Sequence, residues 1–323
     1  MDPIEHAKSL LRADRLVAFP TETVYGLGAR ADRPEAVAKI FEAKRRPTFD
    51  PLIAHFPSAQ AVREWAQMDA RSERLAQCFW PGPLTIVLPR LHRGGVPRIP
   101  DLVTSGLDTV GVRVPDQPLA LALLSDLEFP VAAPSANPFG YVSPTTAQHV
   151  REGLGEKVDF VLDGGPCLVG VESTIVDLTS KVARLLRPGG LPREALEEQL
   201  GQSLPWDGFR PPVTTEAPGM LESHYSPDVG VEVFESAAEL TARAHELAGR
   251  CAILSPEGLD APCLELVVLG QGTAMAVALF ATLRRLDRMD TGKILALLPG
   301  TEGIGLAVRD RLFRAARSRL GAR

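Results

Sequence analysis

The amino-acid sequence predicts two α/β units joined by a proline-rich segment. The chain has 323 residues, more than one hydrophobic core usually supports, so two domains are expected. Residues 206–228 break every periodic pattern with prolines and glycines, which indicates a linker between a first unit, residues 1–205, and a second unit, residues 229–323. The first unit spaces its strand-like runs irregularly, whereas the second alternates them with helices. The expected class is therefore α/β, with an α+β first domain built on a mixed, twisted sheet.

Six apolar runs in the first unit are predicted to be strands. They lie at residues 16–20, 84–88, 110–114, 130–133, 160–162 and 174–178. A helix is predicted over residues 34–43, because Val37, Ile40 and Phe41 form an apolar stripe at helical spacing.

Four apolar runs predict the strands of the second unit, at residues 231–234, 250–254, 264–269 and 293–298. Helical stretches separate them, an order typical of a small Rossmann-like α/β domain. The last helix is predicted over residues 306–320, with arginines toward its C-terminal end, where the helix dipole favours cations.

Charge, hydropathy and cysteine spacing exclude several classes of protein. The 35 basic and 40 acidic residues give a net charge of −5, so any contact with tRNA or another nucleic acid is expected to be local. No apolar run approaches the roughly 18 residues of a membrane span, and the N-terminus is charged where a signal core would be apolar, which predicts a cytoplasmic protein without membrane contact. The four cysteines lack zinc-site spacing, so we expect free, mostly buried thiols and no protein-bound metal.

The segment from Gly26 to Ala31 fits the dinucleotide fingerprint G-x-G-x-x-A and is interpreted as a turn that follows a strand. Its context argues against a dinucleotide site. The next helix begins several residues later, near Pro34, and no second strand ends in an acidic residue at the required distance. A P-loop motif is also absent from the sequence.

Two cationic segments are candidates for binding an anion. Lys44, Arg45 and Arg46 end a predicted helix, and either a basic helix terminus or a phosphate site explains them. In the run from Thr109 to Pro115, alternation places Thr109, Gly111 and Arg113 on one face, and the glycine is expected to leave room beside the guanidinium for a carboxylate or phosphate.

Polar residues follow the predicted strand at residues 130–133. Ser135 and Asn137 come directly after it, where short hydroxyl and amide groups suit a ligand at a sheet end. Ser143 is predicted to be the N-cap of a helix with Pro144 at its first position, which would place a helix N-terminus beside them. Ordinary turn and cap chemistry is the alternative.

Several motifs in the first unit resemble the YrdC family. They are Phe19-Pro-Thr-Glu-Thr-Val-Tyr-Gly-Leu-Gly28, Lys44-x-Arg46-Pro, Trp80-Pro-Gly-Pro-Leu-Thr85, Val112-Arg113-Val-Pro, Ala133-Pro-Ser-Ala-Asn137 and Glu172-Ser-Thr174. Pro218-Gly-Met220 and His224-Tyr-Ser-Pro227 resemble the linker of the long, two-domain form. The resemblance implies that L-threonine, bicarbonate or CO2, and ATP give threonylcarbamoyl-AMP and pyrophosphate, and that a downstream threonylcarbamoyl transferase complex uses the product on adenosine 37 of tRNA.

The resemblance also implies a set of site residues. The threonine site would use Thr23, His55, Arg113, Ala133 through its backbone, and Ser173. The ATP site would use Lys44, Arg46, Asp50, Thr109, Ser135, Asn137, Ser143, Arg187 and Tyr225, with Mg²⁺ on the triphosphate. Lys44, Arg46 and Arg187 would stabilise the charge that develops on phosphate during catalysis. Asp50 departs from the asparagine usual in the family, and the linker serine at position 226 replaces the common alanine.

Two other functions and one conformational hypothesis accompany this interpretation. A carbamoyl-phosphate-handling enzyme is the first alternative, although the acylphosphatase and zinc-finger segments expected of it are absent from the sequence. A non-catalytic RNA-binding module is the second, and the net charge disfavours it. We also expect the linker to close over the first domain, with Tyr225 near the nucleotide, so that water is excluded from labile intermediates. A passive spacer is the alternative to such a lid.

Overall fold

The computed structural model describes residues 2–208 and 225–317. The helices are α1 (Pro3–Arg12), α2 (Pro34–Lys44), α3 (Ala59–Val62), α4 (Ala70–Phe79), α5 (Asp101–Thr104), α6 (Pro118–Leu124), α7 (Ala147–Leu154), α8 (Arg193–Leu200), α9 (Ala237–Glu246), α10 (Thr273–Leu286) and α11 (Gly305–Ala316). The strands of the first unit are β1 (Val17–Phe19), β2 (Gly26–Arg30), β3 (Ile53–His55), β4 (Leu84–Pro89), β5 (His92–Arg93), β6 (Val96–Pro97), β7 (Thr109–Arg113), β8 (Val131–Ala132), β9 (Phe160–Val161), β10 (Thr174–Asp177) and β11 (Arg184–Arg187). Those of the second unit are β12 (Val231–Phe234), β13 (Cys251–Ser255), β14 (Glu265–Val268) and β15 (Lys293–Leu297).

The first unit is built on a mixed sheet of nine strands in the order β11-β10-β4-β7-β3-β8-β2-β1-β9. Parallel pairs (β10 with β4, β3 with β7, β1 with β9) alternate with antiparallel ones. Strand residues alternate between the two faces, so that Ala18 joins the larger core cluster while Val17 and Phe19 join the core under α1 and α6. The predicted class, an α/β domain built on a mixed sheet with helices, is confirmed.

The second unit is a parallel sheet of four strands in the order β12-β15-β13-β14. Its alternation is regular: Ala252 and Leu254 face the core under α10 and α11, while Cys251 and Ile253 face α9. All four of its strands lie where the sequence predicted them.

The second unit packs directly against the first. Val24, Val142 and Val171 of the first unit share an apolar cluster with Leu279 and Phe280 of α10. Polar contacts surround this cluster. The Arg284 guanidinium donates to the carbonyl oxygens of Val142 (2.5 Å) and Ser143 (3.3 Å), and the Tyr141 hydroxyl donates to Asp287 at 2.6 Å. The loop that follows β8 is therefore held by the second unit.

One local prediction in the first unit is wrong because a glycine can serve close packing as well as a turn. The segment from Gly26 to Arg30 is β2, an interior strand of the sheet, and not a turn. A Cβ at Gly28 would lie 2.8 Å from a Val131 methyl and 2.9 Å from the Phe19 ring, so this glycine permits close packing in the sheet. Strand β3 (Ile53–His55) was not predicted, although β1, which has the same length, was.

The cysteines and the last helix also depart from expectation. All four thiols are free, but Cys78 is exposed and Cys263 half-buried, so only Cys167 and Cys251 are buried. Arg311 and Arg314 of α11 are buried and paired to Asp310, which a helix-dipole interpretation does not anticipate. Within the described ranges the longest helix, α10, has 14 residues, and none of the helices has the length and apolar character of a bilayer span.

Candidate functional site

A cavity lies where several strands of the large sheet end. Arg113 and His55 are the last residues of the parallel strands β7 and β3, Ala133 follows β8, and Ser173 precedes β10. Nine of the residues expected at the site line this cavity: Thr23, Arg46, His55, Arg113, Ala133, Ser135, Ser173, Arg187 and Tyr225. The fold therefore brings together motifs that are spread over more than two hundred positions of the sequence.

Arg113 is fixed by a counter-ion from its own unit. Its Nη2 donates to Glu22 Oε1 at 2.6 Å, and both side chains are buried. Glu22 was not expected at the site, although it stands between two threonines of the Phe19–Gly28 motif. A buried arginine with its charge already balanced is held in one geometry and presents its remaining donors to the cavity.

His55 is neutral at the cavity wall. Burial, reinforced by the Arg113 charge, lowers the pKa of this imidazole to about 3. The ring packs edge-on to Phe19 with centroids 5.9 Å apart, and its Nδ1 has no hydrogen-bond partner among the described residues. His55 is thus equipped for one further hydrogen bond to a ligand.

Arg187 and Ser173 form one polar wall. The Arg187 guanidinium donates to the Ser173 carbonyl oxygen at 2.9 Å and to its hydroxyl at 3.1 Å, and that hydroxyl also lies 2.7 Å from the Thr85 hydroxyl. Gly189 makes this arrangement sterically possible, because a Cβ there would lie 2.3 Å from backbone atoms of Ser173 and Thr174. Burial lowers the pKa of Arg187.

The cationic segment after α2 turns two of its three side chains inward. Arg45 is exposed, whereas Lys44 and Arg46 are buried. The Lys44 ammonium lies behind the cavity and donates to the carbonyl oxygens of Ser135 and Asn137, both at 2.5 Å. Burial, with the Arg46 charge, lowers the pKa of Lys44 well below its ordinary value. Cations that only balance a helix dipole can stay exposed at the helix end, and these two side chains are buried. The structure therefore favours an anion-binding site over a basic helix terminus.

Asp50 is the counter-ion of Arg46. Its carboxylate lies 2.8 Å from Arg46 Nη2, and it is fully buried and does not line the cavity. Burial raises the pKa of Asp50, although the charge of Arg46 works against that rise. The Asp50 carboxyl group, at the position where the resemblance implies asparagine, therefore lies beside Arg46.

The loop after β8 carries Asn137 and Ser143 beside the cavity without making them part of its lining. The Asn137 amide donates to the carbonyl oxygens of Pro138 and Tyr141. The predicted helix cap at Ser143 is wrong: α7 begins at Ala147, and the Thr146 side chain caps it. The Ser143 hydroxyl instead donates to Glu172 Oε1 at 2.5 Å, a buried partner that local sequence patterns do not indicate.

Tyr225 belongs to the C-terminal part of the linker that the structure describes, and it lines the cavity. Its ring is stacked on Phe280 of α10 with centroids 5.5 Å apart, and its side chain is buried. Burial, with the nearby Glu172 charge, raises the pKa of its hydroxyl to about 12. The linker motif at residues 218–220 and His224 lie outside the described residues, as does most of the segment expected to form a lid.

Thr109 is the one expected residue that the structure places away from the cavity. It begins β7, four residues before Arg113, which is about 13 Å along a strand. It lines a second, smaller cavity with Gly111, Thr85 and Ile175. Gly111 therefore gives space to this second cavity and not to the Arg113 guanidinium.

The arrangement defines a class of protein: an α/β protein whose mixed sheet carries a cation-lined cavity closed on one side by a second, parallel α/β unit. Comparison with known proteins identifies the family. The model of the Sua5, YciO and YrdC family, described as "Telomere recombination", matches residues 9–189, and one described as "Threonylcarbamoyl-AMP synthase, C-terminal domain" matches residues 191–317. The second match includes α8, which packs on α4 of the first unit.

Relatives match this chain over almost its whole length. The threonylcarbamoyl-AMP synthase of Pyrococcus abyssi is 42% identical, over 98% of this chain and 95% of that protein. The Bacillus subtilis enzyme of the same name is 37% identical, over 99% and 94%. The crystal structure of P. abyssi Sua5 complexed with L-threonine superimposes with a TM-score of 0.88 over 97% of this chain and 94% of that one. This chain belongs to the threonylcarbamoyl-AMP synthase family, in its long, two-domain form.

Proposed function

We propose that this chain converts L-threonine, bicarbonate or CO2, and ATP to threonylcarbamoyl-AMP and pyrophosphate. The observation that carries the proposal is the convergence of Arg113, Arg46 and Arg187 on one cavity from separate parts of the chain. An amino-acid carboxylate and a polyphosphate both require arginines of this kind. The full-length likeness to a protein solved with L-threonine supports the choice of amino acid.

Threonine is proposed to bind at the Arg113 side of the cavity. Arg113 pairs with the carboxylate, and the free Nδ1 of neutral His55 makes a hydrogen bond to a polar group of the ligand. The hydroxyls of Thr23 and Ser173 and the backbone of Ala133 complete the polar contacts. A neutral imidazole suits this position. A second positive charge, buried beside the Arg113 guanidinium, would be repelled by it and would lose its hydration.

ATP is proposed to bind at the opposite side. Arg46 and Arg187 face the triphosphate, Ser135 lines the same wall, and Tyr225 packs against the nucleotide. Lys44, Asn137 and Ser143 support this wall from behind, and Asp50 fixes Arg46. Mg²⁺ is taken to arrive as part of the substrate MgATP. The described residues contain no group of three or more His, Cys, Asp or Glu side chains that would hold a separate ion.

Catalysis in this arrangement consists of positioning and charge stabilisation. The threonine ammonium loses a proton, and the resulting amine adds to CO2 and releases a second proton, which gives a carbamate. A carbamate oxygen then attacks the α-phosphorus in line, the bond from that phosphorus to the bridging oxygen breaks, and pyrophosphate leaves with the electron pair. Arg46 and Arg187 stabilise the charge that develops on the phosphoryl oxygens and on pyrophosphate. With a pKa of about 3, His55 is not a base for the ammonium proton near neutral pH.

The finer biological setting belongs to the same proposal. The product is an activated carbamoyl group, so a downstream transferase complex must consume it on tRNA, in the cytoplasm where ATP and tRNA meet. A direct tRNA contact by this chain, which has a net charge of −5, would be local.

Release of pyrophosphate tests the proposal. We expect pyrophosphate only when threonine, bicarbonate and ATP are all present, together with a product that contains AMP. Release of ADP and inorganic phosphate would contradict it, as would pyrophosphate formation that does not depend on threonine.

A further inference from the structure

A carboxylate of the cavity wall takes its counter-ion from the second unit. Glu172 lines the cavity, and both of its oxygens are engaged. Its Oε1 accepts a hydrogen bond from Ser143 at 2.5 Å, and its Oε2 accepts one from Nε of Arg311, on α11, at 2.8 Å. Burial opposes ionisation, but the charges of Arg311 and Arg187 outweigh it and lower the pKa of Glu172. The carboxylate is therefore charged and depends on an arginine from the other domain.

The Arg311 side chain is held rigidly at the interface. It is completely buried, and its Nη1 donates to the Pro188 carbonyl oxygen (3.0 Å) and to Asp310 (2.7 Å). Its guanidinium carbon lies 5.0 Å from the centre of the Tyr225 ring. Asp310 also accepts from Arg314, so a charged network of α11 fixes Arg311. Arg311 thereby contacts both segments that carry the polar wall, at Glu172 and beside Arg187.

The charges of the cavity show why the ion pair between Arg311 and Glu172 affects nucleotide binding. Glu22 balances Arg113 from within the first unit. Glu172 is balanced by Arg311 across the interface. Without Arg311, a buried carboxylate would stand in the wall that faces a triphosphate, and it would attract Arg187 away from the ligand. Charges interact strongly in such a water-poor site, so a polyanionic ligand would bind less well.

We propose that Arg311 is a positioning residue for the nucleoside triphosphate: through its ion pair with Glu172 it keeps the cavity receptive to polyphosphate. This inference rests on the proposed function, since it takes ATP as the ligand of this wall. It gives the second unit a direct part in the site. The loss of Arg311 is also expected to weaken ATP binding and to leave threonine binding nearly unchanged. The Arg113 side of the cavity has its own counter-ion and does not depend on Arg311.

Direct binding of MgATP and of L-threonine to the full-length chain, measured by calorimetry, tests this role. R311M is expected to weaken ATP about tenfold, or roughly 1.4 kcal/mol, and to change threonine affinity by less than about twofold. E172Q keeps the hydrogen-bonding shape without the charge, so it is expected to retain ATP affinity. The double variant E172Q/R311M is expected to recover most of the ATP affinity that R311M loses. R288M is the matched control, because it breaks another ion pair between the units, with Glu152, away from the cavity.

Each result of these binding measurements either supports or overturns the positioning role of Arg311. Equal losses for both ligands in R311M, or a double variant no better than R311M, would mean that Arg311 only stabilises the interface and would overturn the inference. If R311M does not fold, as judged by its thermal transition, the ATP affinity of E172Q is the deciding measurement. Retained or tighter ATP binding by E172Q supports the proposed role of the Arg311–Glu172 ion pair, and a tenfold loss refutes it. Because binding is measured without turnover, a chain that binds both ligands as expected but releases no pyrophosphate would refute the proposed reaction alone.

Discussion

The two sides of the cavity are built in different ways. The Arg113 wall, formed by Thr23, His55 and Arg113, lies entirely within the first unit and has its counter-ion, Glu22, there as well. The Glu172 wall, formed by Glu172, Arg187 and Tyr225, is supported by Arg311 and Phe280 of the second unit. One half of the site is therefore complete in a single domain, while the other half exists only when both domains are docked.

The largest effect is expected at the Arg113 wall. Arg113→Ala removes the partner of the threonine carboxylate and leaves Glu22 buried without its counter-ion. We expect threonine affinity to fall by about 3 kcal/mol, more than a hundredfold, and ATP affinity to change by less than about threefold. Calorimetric titration with each ligand measures this. Arg90→Ala is the control, a buried arginine of the first unit that lies outside the cavity lining. Similar losses of affinity for both ligands would contradict the assignment of threonine to the Arg113 wall and ATP to the Glu172 wall.

Acid is expected to destabilise the Arg113 wall through His55. The unfolded imidazole gains a proton as the pH falls below 6.5, whereas the folded one resists protonation until about pH 3. The unfolded state therefore binds more protons in this window, and stability falls as the pH falls. Between pH 6.5 and pH 5 the loss amounts to about 2 kcal/mol. Chemical denaturation at both pH values should show a smaller loss in His55→Gln and an unchanged loss in His92→Gln, at an exposed histidine. Identical losses in all three proteins would contradict the burial argument.

Substitutions of Tyr225 test the role of the Glu172 wall. Tyr225→Ala removes the stacking on Phe280 and opens the cavity, so we expect threonine-dependent pyrophosphate release to fall about tenfold and the labile product to hydrolyse faster. Tyr225→Phe keeps the ring and is expected to stay within about threefold of the parent. If the alanine variant turns over and retains its product as well as the parent, the closure hypothesis is wrong and the linker only joins two units.

The smallest effect is expected at the rim of the interface. Arg288 pairs with Glu152 across the two units, but its side chain is 58% exposed. Exposed ion pairs contribute little, so Arg288→Ala should lower the free energy of unfolding by less than about 1 kcal/mol and leave both ligand affinities unchanged. A larger loss, measured by denaturant titration, would show that docking depends on surface charge and not on the apolar cluster and Arg311.

The sequence predicted the second unit better than the first. Parallel strands separated by helices give apolar runs of regular length, and all four were found from this pattern. In the first unit, the two glycines of β2 led to its interpretation as a turn, and β3, in a short segment between Pro51 and Pro57, was not predicted. Their neighbours in the sheet, which lie far away along the chain, determine that these segments are extended.

The cavity lining could be predicted where its residues stand in motifs. Arg113, Ser135 and Ser173 were identified in this way, and the fold brings them to one cavity. The supporting charges were missed. Glu22 and Glu172 have arginine partners 91 and 139 positions away, and Arg311 occurs in a helix whose sequence looks like an ordinary solvated end. Long-range ion pairs leave no local pattern, so only the tertiary structure reveals them.

The central claim is that the two walls face one cavity, in which a carbamate of threonine attacks the α-phosphorus of ATP. The most direct measurement uses freshly dissolved ¹⁸O-labelled bicarbonate with threonine and ATP, followed by ³¹P NMR of the products. The claim predicts an isotope shift on the α-phosphorus of the AMP-linked product, unlabelled pyrophosphate, and neither product without threonine. Label in inorganic phosphate, accompanied by ADP, would show that bicarbonate had attacked the γ-phosphorus, and would contradict the claim.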